Sequence, residues 1–208
     1  MKKFLIWSHI LWVGALGIAV TALCAVFAAI HKNVYGIVSG AIYGTTMILL
    51  YTMSSIYHGL KPDTTSKKVF QIIDHCTIYL LIAGSYTPFA LCTFREYNLA
   101  LGWTIFGLIW SLAILGITLN SIDLKKYKVF SMICYIVMGW CVIFRIDVII
   151  KRIGILGFVL LLLGGISYTV GTIFYGWGRT KKYMHSVFHL LILLGSILQF
   201  LCIILYVM

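Results

Sequence analysis

The sequence predicts an all-α membrane protein: a single seven-transmembrane helix bundle over residues 1–208, N-terminus cytoplasmic and C-terminus outside. Three observations predict it. Hydrophobic residues make up 62% of the 208 and charged residues only 10%, whereas a typical soluble domain carries roughly 25% charged residues. The apolar residues fall in runs of about 20, the length that crosses the hydrocarbon core as a helix. The charges sit in short clusters between those runs, as membrane anchors and topology signals do. The formal charge of +11 is therefore not read as a nucleic-acid surface, and no nucleic-acid partner is expected.

The first span is Phe4–Ile30. Its Met1-Lys2-Lys3 start is like that of a signal peptide, but the apolar run is too long for one and no clear cleavage site follows. The second, Gly36–Leu60, places Gly36, Gly40 and Gly44 on one face, where small residues let helices approach closely in lipid. The third, Phe70–Cys92, contains Pro88 shortly after Gly84, which predicts a kink. Leu99–Leu119, Tyr127–Asp147, Gly154–Trp177 and His185–Val207 complete the set, joined by short connections. The six cysteines all lie inside apolar runs and none is spaced CxxC, so they read as small buried hydrophobes with no disulfide framework or thiolate metal site.

Lys and Arg in alternate connections set the orientation. Eleven lie on the side of the N-terminus: Lys2 and Lys3; Lys61, Lys67 and Lys68; Lys125, Lys126 and Lys128; Arg179, Lys181 and Lys182. The other side holds five: Lys32, Arg95, Arg145, Lys151 and Arg152. The split predicts a cytoplasmic N-terminus, opposite to a G-protein-coupled receptor, and argues against that reading of seven helices.

Ionisable residues inside spanning helices are costly and are functional candidates by default. Three short motifs carry them. Ser54 and His58 are four apart at the end of the second span and share a face. Asp74, with His75 beside it, stands at the start of the third. His185 and His189, four apart, open the seventh, and such a pair can bind one metal ion. With alternating spans, His58, Asp74, His185 and His189 all come to one depth near the cytoplasmic face. Three imidazoles and an open fourth position make a catalytic zinc arrangement. A carboxylate outside the metal's ligands can orient and deprotonate water, whose pKa zinc brings to about 7. Ser54 can hydrogen-bond that carboxylate, the water or a developing oxyanion. His75 points about 100° away from Asp74 on a helix and is not read as a ligand.

Ser54-x3-His58, Asp74 and His185-x3-His189 together resemble the motif set of the progestin and adipoQ receptor family, whose bacterial branch is called hemolysin III. Ile73-Asp74-His75, Ala83-Gly84-Ser85-Tyr86-Thr87-Pro88-Phe89, Met138-Gly139-Trp140 and the run from Gly164 to Gly171 resemble it too, and the short N-terminus is like that of the bacterial members. The resemblance implies a seven-helix bundle in the bacterial plasma membrane with zinc held by His58, His185 and His189. It implies Asp74 and Ser54 as the water-orienting pair and a kinship with alkaline ceramidases. The leading expectation is a zinc-dependent hydrolase of a lipid amide or ester, with membrane lipid as its substrate. The alternative is a receptor or a membrane-remodelling, hemolytic protein whose zinc is structural. A haem-binding electron carrier fits less well, because haem ligation needs imidazoles on facing helices and gains little from a carboxylate. A pore would need a charged ring or amphipathic lining, and the sequence shows neither.

Overall fold

A computed structural model describes residues 18–19, 21–24, 26, 29–30, 33–177 and 184–208, and the side chains of all of these except 176, 177 and 184–186. Most of the expected first span, Phe4–Ile30, lies outside the described residues, and so do the side chain of His185 and the basic cluster at residues 179–182. Every regular element among the described residues is helical. We label the long helices α1 (Val34–Gly59), α2 (Thr65–Pro88), α3 (Leu99–Asp123), α4 (Lys128–Trp140), α5 (Ile146–Trp177) and α6 (Met184–Tyr206). Four described stretches, Val34–Gly59, Thr65–Tyr97, Leu99–Asp123 and Val187–Tyr206, are long and apolar enough to cross a membrane.

Three connections end in a side-chain cap. The side chain of Asn33 accepts from Gly36 N (2.9 Å), that of Thr64 from Lys67 N (3.2 Å) and that of Asn98 from Leu101 N (3.0 Å), so orphan amides at three helix starts are satisfied without water. The α1–α2 turn is tight. Asp63 takes a left-handed φ of 62°, a conformation that Asp tolerates better than most residues. Lys67 reaches back across this turn to the carbonyl oxygens of Tyr57 and Leu60. It caps the last carbonyls of α1 with a positive charge.

Small residues set the helix spacing. A Cβ added at Gly40 would stand 2.7 Å from Cβ of Cys24, and one at Gly44 would collide with Thr21. The glycine face of α1 thus packs on the helical residues before it. Gly84 of α2 is held in the same way against Thr46, and Gly116 of α3 against the ring of Tyr79. Large apolar side chains point outward instead. Phe144 is 83% exposed and Ile155 71%, as expected where hydrocarbon rather than water covers the surface.

The structure departs from the sequence reading in two places. At Pro88 the chain passes into a π-helical stretch, Phe89–Phe94, and on through Arg95–Tyr97. A proline cannot donate to the carbonyl four residues back and crowds it. A wider turn is one remedy, and here the expected kink takes that form. The second departure is the boundary between the fifth and sixth spans. α4 ends at Trp140, a 3₁₀ turn covers Cys141–Arg145, and residues 146–153, expected as the end of a span and a connection, are helical up to Gly154. Gly154 breaks the helix with φ 71°, a backbone that glycine adopts at no steric cost. The charges that suggested a connection, Lys151 and Arg152, lie on the exposed face of this turn, while Val148, Ile149 and Ile153 enter the core.

Candidate functional site

A cavity of about 380 Å³ lies between α1, α2, α4, α5 and α6. Ser54, His58, Asp74 and His189 all line it. They arrive from three helices because of where those helices begin and end. His58 is in the last turn of α1, Asp74 is in the third turn of α2, and His189 is in the second turn of α6. The tight α1–α2 turn returns the chain antiparallel, which brings Ser54 and Asp74 to the same cavity. The imidazoles of His58 and His189 stand edge to face, their centroids 5.1 Å apart and planes at 87°. Lys67 acts electrostatically on Asp74, and its ammonium lies 4.3 Å from the centroid of the Tyr57 ring.

His75 has a separate role. Its Nδ1 faces the carbonyl of Gln71 at 2.8 Å, and its Nε2 lies 3.2 Å from the hydroxyl of Tyr175. The carbonyl can only accept, so Nδ1 carries the proton and Nε2 accepts from Tyr175. Tyr135 donates to the backbone carbonyl of His75 at 2.8 Å. Both ring nitrogens are thus engaged, Nδ1 within α2 and Nε2 tying α2 to α5, with Lys128 above the Tyr175 ring at 5.3 Å from its centroid.

The donor set suits zinc. Two imidazoles 5.1 Å apart by their centroids, in one cavity with a carboxylate, are donor types that zinc takes, and a catalytic zinc needs a third protein ligand. Among the described residues no three His, Cys, Asp or Glu side chains converge on one point. The third donor implied by the sequence is His185, whose side chain lies outside them.

Sequence reasoning missed a second polar tier in the same cavity. The hydroxyls of Tyr51 and Tyr168 meet Ser196 Oγ at 2.6 and 2.8 Å, and Gln199 lines the wall beyond. A signal for it was present: Tyr51 is seven residues before His58 and Ser196 seven after His189, which puts each on the face of its histidine.

Comparison with known proteins adds a lineage. Residues 3–200 match the family described as "Haemolysin-III related". The chain is 40% identical to "Hemolysin-3" of Bacillus cereus over 93% of its own length and 86% of that protein. It is 39% identical to "Hemolysin-3 homolog" of Bacillus subtilis (strain 168) over 92% of its length and 87% of that protein. It is 26% identical to the human "Monocyte to macrophage differentiation factor" over 73% of its length and 63% of that protein.

Proposed function

The chain belongs to the haemolysin-III related family, and from that premise we propose that it is a seven-span, N-in zinc hydrolase of a lipid amide or ester in the plasma membrane. The observation that carries the reading is the meeting of His58, His189, Asp74 and Ser54 in one largely apolar cavity. Ionisable side chains at membrane depth are rare, and these share a wall with Leu50, Ile78, Leu81 and Ile82, which suit an acyl chain.

His58, His185 and His189 would hold the metal. Zinc there supplies a Lewis acid beside the substrate carbonyl. Asp74 accepts a hydrogen bond from the attacking water, takes its proton, and passes that proton to the leaving nitrogen or oxygen. The water oxygen bonds to the carbonyl carbon as the C–N or C–O bond breaks, leaving a fatty acid and an amine or alcohol. Ser54 donates to the carboxylate and fixes its rotation, so the remaining lone pairs face the cavity. The surrounding hydrocarbon side chains exclude bulk water and strengthen each of these contacts.

A second reading is a membrane-remodelling protein with a closed, structural zinc. It is supported by the name of the Bacillus cereus relative, "Hemolysin-3". Lipidomics on membranes incubated with wild type and with Asp74→Asn separates the two. A lipid consumed by wild type alone supports the hydrolase, and identical lipid profiles defeat it. The topology rests on the 11-to-5 split of basic residues. A reporter active only in the cytoplasm stays silent when fused after Met208, and a signal from it overturns the N-in, seven-span arrangement.

A further inference from the structure

The cavity is longer than the cluster at its histidine end. His58 and Tyr51 are seven residues apart on α1, and His189 and Ser196 are seven apart on α6, so the second tier lies about 10 Å deeper along both helices. Tyr168 joins it from α5 through Ser196 Oγ. Three residues beyond Ser196, about 15 Å from the level of His189, Gln199 lines the cavity, and its Oε1 is buried with no hydrogen-bond partner among the described residues. An unsatisfied carboxamide oxygen in an apolar interior is costly, and a fold that only needed to bind its helices together would place leucine there. Ser196 already links α1, α5 and α6 without it.

We infer that Tyr51, Tyr168 and Gln199, with Ser196 Oγ behind the two tyrosine hydroxyls, form a specificity subsite for a hydroxyl carried on the acyl chain of the lipid bound there. The inference rests on the acyl-lipid reading of the same cavity. A hydroxyl suits the tier because, with the Gln199 carboxamide turned into the cavity, it donates to Oε1 while accepting from a tyrosine hydroxyl, and a plain methylene would leave that oxygen unpaired. An extended chain advances about 1.2 Å per bonded atom. A carbonyl carbon, position 1, at the histidine end therefore places carbons at about positions 9 to 13 beside the tier.

The test uses the full chain purified in detergent and reads binding without turnover. 10-Hydroxyoctadecanoic acid and octadecanoic acid compete with a fluorescent fatty acid for the protein. Wild type should prefer the hydroxy acid by about tenfold, the worth of one buried hydrogen bond to a group otherwise left unpaired. Gln199→Leu should bring the ratio close to one, chiefly by tightening the plain acid. Tyr168→Phe should also reduce it, and it decides alone if Gln199→Leu does not fold. Equal binding of the two acids by wild type, or an unchanged preference in the folded variants, overturns the inference. Asp74→Asn should keep the preference. A chain that prefers the hydroxy acid and hydrolyses no lipid would therefore sink the hydrolase reading and leave this one standing.

Discussion

The two halves of α2 and its extension show how this protein treats polar groups in lipid. From Ala83 to Phe94 every residue is buried, and Ser85 and Tyr86, although they touch the cavity, have their hydroxyls taken up by backbone. Ser85 donates to the carbonyl of Ile82 at 2.9 Å and Thr87 to that of Ala83 at 2.9 Å. Tyr86 donates to the carbonyl of Gly139 (2.9 Å) and accepts from Val142 N (3.0 Å), joining α2 to the end of α4. The first half, with Asp74 and His75, is half-buried and borders the cavity. The same helix thus holds hydroxyls satisfied by backbone, which stabilise the bundle, and a carboxylate that borders an open space. A polar residue in a span marks function when its remaining hydrogen-bonding capacity faces a cavity, and marks packing when the backbone takes it up.

Substitutions can break or sharpen that contrast. The largest effect belongs to Asp74→Asn, an isosteric change that removes the proton acceptor. Hydrolysis should fall about 10²–10⁴-fold while zinc content by elemental analysis stays near that of wild type. Zinc loss as deep as in a histidine variant would make Asp74 a ligand and favour the closed, structural site. His189→Ala comes next: zinc, expected at about one ion per wild-type chain, should be largely lost, and the melting temperature should drop because metal bound only to the folded state stabilises it. Equal zinc in wild type and variant would defeat the site. In the other half, Tyr86→Phe should lower stability by about 1–3 kcal/mol in thermal unfolding, since it strips partners from buried backbone groups, and should leave zinc content unchanged. A change in zinc without a change in stability would erase the contrast. The smallest effect is that of Ser54→Ala, about three- to tenfold in rate in the same direction as Asp74→Asn, the worth of one supporting hydrogen bond. A rate equal to that of wild type would separate Ser54 from the water-orienting role.

What the sequence determined by itself is the solvent and the inventory. Too few charges to cover a soluble surface, and apolar runs of span length, imply helices in lipid, and every regular element among the described residues is helical. The apolar runs place the starts of α1 and α3 within two residues, at Gly36 against Val34 and at Leu99, and that of α2 five residues late, at Phe70 against Thr65, because the capped first turn of α2 is polar. The residues that line the histidine end of the cavity were legible because an ionisable group in a span has few structural reasons to exist. Tertiary structure decided the rest. Residues 146–153 read as the edge of a connection because Lys151 and Arg152 dominate the pattern, yet Val148, Ile149 and Ile153 find a core to enter, and only the neighbouring helices supply that core. The π-helical answer to Pro88 depends on the packing around it. The second tier at Tyr51, Tyr168 and Ser196 comes from two neighbouring spans and a third distant in sequence, and hydroxyls in spans are too common to stand out until packing brings them together. Local preferences and solvent are written along the chain, whereas a cavity exists only between helices, so its depth and its polar floor follow from packing.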